Sequence, residues 1–295
     1  MTRAHRRRGV LLGLVLPLGC AGPSPSSPGA GATGLEPSGG GAGLQDAASG
    51  SGGNGTSPAG AGAGAAGSLS ARLQRYHRDD PDRSLRFELD AVAGLAPYTS
   101  STDYLEGLAG RLLNKPDGVS FETDETLAPM GAGHEWTFEA LDEFARSHAA
   151  DDARGPVTIQ VLFLDGRYVT EDDGGTVLGL AWGERFIALF QEQLRSACSG
   201  GLASALQNDV CSTAERNVWA HELGHVIGLV DNGVPLQSAH RDAAHGRHDV
   251  SDACIMYWAY EGPALFDTFL DRFNAGQSLD IDFCENCWAD LANAR

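Results

Sequence analysis

The sequence predicts an α/β (α+β) domain: a mixed twisted sheet, an active-site helix and closing C-terminal helices, preceded by a segment that does not fold. Three observations predict it. From Arg86 onward, alternating or β-branched apolar runs recur between stretches with helical spacing. One helical stretch holds the pattern His-Glu-x-x-His, from His221 to His225. Residues 21–68 are Gly, Ala, Ser and Pro with almost nothing else.

Arg3, Arg6, Arg7 and Arg8 form a basic start, and Val10–Leu18 is an apolar run too short to span a bilayer. Leu18-Gly19-Cys20 follows, which resembles a bacterial lipoprotein signal with Cys20 as the lipidated residue. Residues 1–20 are therefore read as a signal. The mature chain is expected to be exported and lipid-anchored to the cell envelope, or secreted if Cys20 is not lipidated. Residues 21–68 have Glu36 and Asp46 as their only charges and no aromatic residue. Such a composition cannot offset its ordering entropy, so it is read as a tether to a domain over 69–295.

The 295-residue chain carries a net charge of −18, which argues against nucleic acid or an anionic membrane surface as a partner. The membrane enters only through the lipid anchor, and a monomer is expected.

Within the domain, Arg86–Val92 alternates polar and apolar residues and reads as a first strand. Tyr104–Leu113 has helical spacing, Pro116-Asp117-Gly118 is a turn, and Val119–Thr123 is a short strand. Trp136–His148 reads as a helix with Phe138, Leu141, Phe144 and Ala145 on one face. Val157–Leu164 is the strongest strand, ending at Asp165-Gly166. Thr176–Phe190 is strand-like with a turn at Gly183. Gln191–Val210 is a helical insertion bracketed by Cys198 and Cys211, and a disulfide between these two is natural in an oxidising compartment. Thr213 is the expected N-cap of a helix over Ala214–Leu229. Phe266–Phe273 and Asp280–Ala292 read as closing helices.

The chemistry is carried by the central helix. His221 and His225, four residues apart, share one helix face and suit a single zinc ion. Glu222 stands beside them as a general base for a water. Gly228 breaks the helix, and Asp231 then offers a third, oxygen ligand, with His240 as the alternative. His240, His245 and His248 crowd one loop, interleaved with Asp242 and Asp249. If Cys20 is lipidated, five cysteines remain. Cys284-x-x-Cys287 is a zinc half-site, Cys254 a third thiolate and His248 a fourth ligand; the alternative is a disulfide among these cysteines with one spare thiol. Tyr257 or Tyr260 is a candidate for steadying an oxyanion, against the plainer reading of packing aromatics.

The pattern HExxHxxGxxD, followed by a methionine in Cys254-Ile255-Met256, resembles the metzincin clan of zinc peptidases. That resemblance implies a zincin domain with Met256 in a tight turn beneath the metal. It also implies that the strand before the active-site helix, within Thr176–Phe190, pairs with extended substrate. Cys254-x-Met256 with Cys284-x-x-Cys287 is similar to the archaemetzincin branch, which implies a second, cysteine-bound zinc. The chain departs from that branch where a further cysteine belongs, because His248 and Asp249 stand there. The resemblance implies a zinc-dependent endopeptidase acting on peptide or protein substrates. The alternatives are a catalytically silent zinc-containing surface lipoprotein, as a binding module, and one stapled only by zinc at the cysteines.

Overall fold

The computed structural model describes residues 68–152, 155–170, 175–199 and 204–295. The expected signal, Cys20 and all but the last residue of the tether lie outside the described residues.

The elements in chain order are α1 (Ala71–His77), β1 (Leu85–Val92), α2 (Thr99–Leu112), β2 (Val119–Leu127), β3 (Glu135–Trp136), α3 (Phe138–His148), β4 (Val157–Leu164), β5 (Arg167–Tyr168), β6 (Gly179–Trp182) and β7 (Phe186–Phe190). There follow α4 (Gln191–Ser199), α5 (Ser204–Val226), β8 (Arg241–Asp242), β9 (His248–Asp249), a 3-10 turn (Trp258–Glu261), α6 (Ala264–Asn274) and α7 (Glu285–Ala294).

A five-stranded sheet in the order β2-β1-β4-β7-β6 forms the centre. β1, β2, β4 and β7 run parallel, and β6 is antiparallel to β7 at the edge. All eight residues of β4 are buried, as the near-continuous apolar run of a strand covered on both faces requires. On one face α5 is pressed against the sheet. Trp219 stands edge-on to Phe87, Phe121 and Phe163, with ring centroids 5.8, 5.8 and 5.3 Å away. On the other face Leu141 and Ala145 of α3 join Leu162, Leu164, Ala188 and Phe190 in a second apolar cluster. The α/β class expected from the sequence is therefore the observed one: a mostly parallel mixed sheet with helices on both faces.

Several boundaries differ from the sequence reading. The helix that carries His221 and His225 begins ten residues before Ala214, at Ser204. Thr213 is thus interior rather than a cap, and its hydroxyl donates to the Asp209 carbonyl one turn back at 2.7 Å. A disulfide joins Cys198 of α4 to Cys211 of α5, Cα atoms 5.3 Å apart, and binds the two helices together. Trp136 belongs to β3, and Thr137 caps α3 by accepting from the Ala140 N–H. Asp280–Phe283 is not helical; α7 starts at Glu285 with Cys284 at its cap. Helix α1 was not expected. Its Leu73 fills the space under Gly228 and Gly233, which leaves no room for a Cβ at either glycine.

Candidate metal centre and active site

α5 delivers His221 and His225 from one face, both buried. The His221 Nδ1–H donates to the Ile255 carbonyl at 2.6 Å, which leaves Nε2 as the acceptor facing inward. His225 Nε2 lies 3.1 Å from His221 Nε2. The third imidazole is that of His248: its Nε2 is 3.3 Å from His225 Nε2, and its Nδ1 donates to the His245 carbonyl. Glu261 completes the group, its Oε1 2.8 Å from His248 Nε2, 3.3 Å from His221 Nε2 and 3.4 Å from His225 Nε2.

This corrects the sequence reading of the third ligand. Asp231 is not in the group. It lies in the left-handed region (φ 61°), and its carboxylate pairs with Arg241 at 2.8 Å and Arg247 at 3.0 Å. Val230 and Asp231 both have positive φ and turn the chain out into the loop that returns at β9. His240, the alternative, is occupied elsewhere: Nδ1 is 2.7 Å from Asp249 Oδ2 and Nε2 is 2.8 Å from Asp290 Oδ2. Burial opposes its charge, but the two carboxylates outweigh that and raise its pKa. His245 stacks on Trp258, with centroids 4.3 Å apart, and bonds to Asp242.

Glu222 is buried, and neither carboxylate oxygen has a hydrogen-bond partner. Burial, then the charge of Glu261, pushes its pKa well above the usual carboxylate range. The side chain lies against β6: a Cβ on Gly179 would stand 2.6 Å from Glu222 Oε1. Glycine at the start of the edge strand is therefore what lets the helix and strand close around this carboxylate. Met256 is buried beneath the same helix. Its Sδ occupies the place a Cβ on Gly224 would take, and the turn is closed by the Tyr257 N–H donating to the Cys254 carbonyl. Tyr260 is no candidate for an oxyanion, because its hydroxyl donates to the Asp252 carbonyl. Tyr257 packs ring to ring with Tyr260 and Trp258, centroids 5.5 and 5.7 Å away.

A second cluster lies on the other side of β9. Cys254 and Cys287 have their sulfurs 3.7 Å apart, as do Cys284 and Cys287, and Asp249 Oδ2 is 3.1 Å from Cys284 Sγ. These separations are far beyond the ~2.05 Å of a disulfide, and all three thiols are free. Hydrogen bonds from Cys254 and Cys287 hold the Cys284 thiol far below its ordinary pKa. The backbone N–H of Cys284 also donates to Cys254 Sγ at 3.3 Å. His240, Asp249, Cys284 and Cys287 each bring one ligand atom within 4.8 Å of the others, with the Cys254 sulfur beside Cys287, and His248, expected here, lies in the first group.

Both donor sets fit zinc. Tetrahedral ligation at the usual Zn–N distance gives donor separations of about 3.3 Å, and at the usual Zn–S distance about 3.8 Å. The histidine group shows 3.1–3.3 Å between its nitrogens and the cysteine pairs 3.7 Å. For His221 and His248, an inward-facing nitrogen with the opposite N–H spent on a carbonyl is the arrangement metal-ligating histidines take.

No protein-family model matches the chain, and no curated protein matches its sequence. Two solved structures are similar to it. An archaemetzincin from Methanopyrus kandleri is 17% identical over 72% of this chain and 97% of that one, with a TM-score of 0.47. A zinc-dependent peptidase from Methanocorpusculum labreanum is 17% identical over 70% and 99%, with a TM-score of 0.42.

Glu261 and Asp249 are the site residues that sequence reasoning missed. Asp249 had a signal, since it stands where the archaemetzincin pattern has a cysteine. Glu261, in a turn after the aromatic run, had none.

Proposed function

We propose that the chain is a zinc-dependent endopeptidase, with zinc held by His221, His225 and His248 and with Glu222 as general base. The observation that carries this reading is the pairing of three converging imidazole nitrogens with a buried, unpartnered carboxylate on the same helix. Zinc, when bound, supplies Lewis acidity toward a peptide carbonyl and acidifies water at neutral pH.

The protein's own groups do the rest. The Ile255 and His245 carbonyls hold His221 and His248 in the ligating tautomer. Glu222 takes a proton from the attacking water and returns it to the leaving amine; burial raises its affinity for that proton. Edge strand β6 offers a backbone on which an extended peptide adds as a further strand. Met256 floors the site without entering the chemistry.

We assign a second, structural zinc to the cluster of His240, Asp249, Cys284 and Cys287, with Cys254 as a neighbouring thiol donor and Asp290 holding the His240 ring. Export and an anchor at Cys20 belong to the same proposal, supported by the basic and apolar N-terminal pattern. A catalytically silent zinc module is the second reading, favoured by one observation: Glu261 already stands as a fourth donor among the histidines.

The deciding experiment compares wild type with Glu222→Gln on a mixed peptide library read by mass spectrometry, with zinc content measured in parallel. Cuts made only by wild type, at equal zinc content, are expected. Full zinc with no cuts by wild type would favour the silent module.

A further inference from the structure

We propose that Glu261 is a displaceable fourth ligand, closing the histidine-bound metal in a resting state until an extended peptide docks on β6. This inference rests on the metal reading of His221, His225 and His248.

Five of the six edges of the His3Glu tetrahedron measure 2.8–3.4 Å, close to the ~3.3 Å of closed zinc ligation. Catalytic zinc sites keep one position open, whereas structural sites are filled by protein. In this donor set Glu261 takes the position that a water or a peptide carbonyl oxygen would need.

Two features make Glu261 the donor that leaves. It is the most exposed of the four, at 16% for its side chain against 0%, 10% and 9% for His221, His225 and His248. It also sits on a 3-10 turn rather than on α5, and its flexible side chain can rotate away without moving the backbone.

The link to substrate is in the backbone. The Glu261 carbonyl accepts from the Leu178 N–H at 2.7 Å, immediately before Gly179 opens β6. Gly262 packs so closely on this segment that a Cβ there would stand 3.2 Å from the Thr176 carbonyl oxygen. The turn bearing Glu261 is therefore fastened to the start of the strand on which a peptide adds. A peptide pairing along β6 therefore lies beside this turn, and rotation of the Glu261 side chain frees the position that the peptide carbonyl needs.

The test uses the full chain loaded with Co2+ as wild type, Glu261→Gln, Glu261→Ala and His225→Ala. Difference spectra against His225→Ala isolate the histidine site from the cysteine cluster. Azide is titrated as a small competing ligand, and zinc affinity is measured by chelator competition. Wild type is expected to resist azide. Both Glu261 variants are expected to bind it at tenfold lower concentration or less, and to hold zinc at least tenfold more weakly. Glu261→Gln keeps the side-chain volume, and unchanged thermal melting in it separates ligand loss from misfolding. Equal azide response and equal zinc affinity in wild type and both variants would overturn the role of Glu261 while leaving the histidine site standing. Cobalt spectra unchanged in His225→Ala would overturn the metal reading and this inference with it.

Discussion

His248 and Asp249 are adjacent in sequence yet serve different clusters. They form the two-residue strand β9, and neighbouring residues of a strand point to opposite faces. His248 turns to His221 and His225, and Asp249 to Cys284. The turn that follows, to Met256, also serves both clusters. Cys254 joins the cysteine cluster, the Ile255 carbonyl orients His221, and Met256 lies under α5. The cysteine cluster is thus a clamp on the strand that carries the third histidine.

His248→Ala is expected to remove one zinc per chain and all peptidase activity. Asp231→Asn is expected to keep full zinc and to lose at most the modest contribution of partly exposed ion pairs with Arg241 and Arg247. Metal analysis after dialysis against a weak chelator distinguishes them. Zinc retained by the first variant and lost by the second would restore Asp231 as the ligand.

Cys284→Ser is expected to lower zinc content by one ion and to lower the melting temperature, because metal binding at such a cluster is folding free energy. Asp249→Cys would complete a four-thiolate set and bind that zinc more tightly. Unchanged metal content in Cys284→Ser would sink the second site.

Gly224→Ala is expected to destabilise the domain by about 1–3 kcal/mol through overpacking, although alanine is the better helix former. The new methyl meets Met256 Sδ, with Phe283 Cε1 at 3.0 Å. In a Met256→Ala background the same change should become neutral or favourable, a coupling that urea unfolding of the four proteins would reveal. Additive effects would show that the methionine is not what excludes a Cβ.

Glu215 should impose a pH dependence on stability. Its carboxyl is buried between the Tyr98 N–H and the Gln191 amide, and burial pushes its pKa from 4.5 up to about 7. Between those values the folded state binds more protons than the unfolded one, so this contribution is complete below pH 4.5 and is lost as pH rises through 7. A shift of that size corresponds to about 3 kcal/mol. Glu215→Gln is expected to flatten the fall in melting temperature between pH 5 and pH 7. A parallel pH profile in the variant would assign the dependence to other groups.

Much of this molecule was legible in the sequence because its signals are local. The β4 run, the helical face of α3, the i, i+4 histidines and Gly228 each report on a few neighbouring residues, and the α/β class followed from their order. The start of α5 was misread because Thr213 is a good cap in isolation, while α4 and the Cys198–Cys211 link hold the helix beyond it.

What the sequence by itself determined was the chemistry available: two histidines on one helix face with a glutamate beside them, a methionine turn, and thiols at zinc spacing. What only the tertiary structure decided was the membership of each cluster. Asp231 was nearest along the chain, but positive backbone angles at Val230 and Asp231 carry the loop outward to Arg241 and Arg247. His248 returns on β9 after a long excursion, and Glu261 arrives from a turn fastened to Leu178. A ligand set is closed by distance in space. Loop closure costs little more for a long loop than for a short one, so nearness in sequence could not choose among these donors.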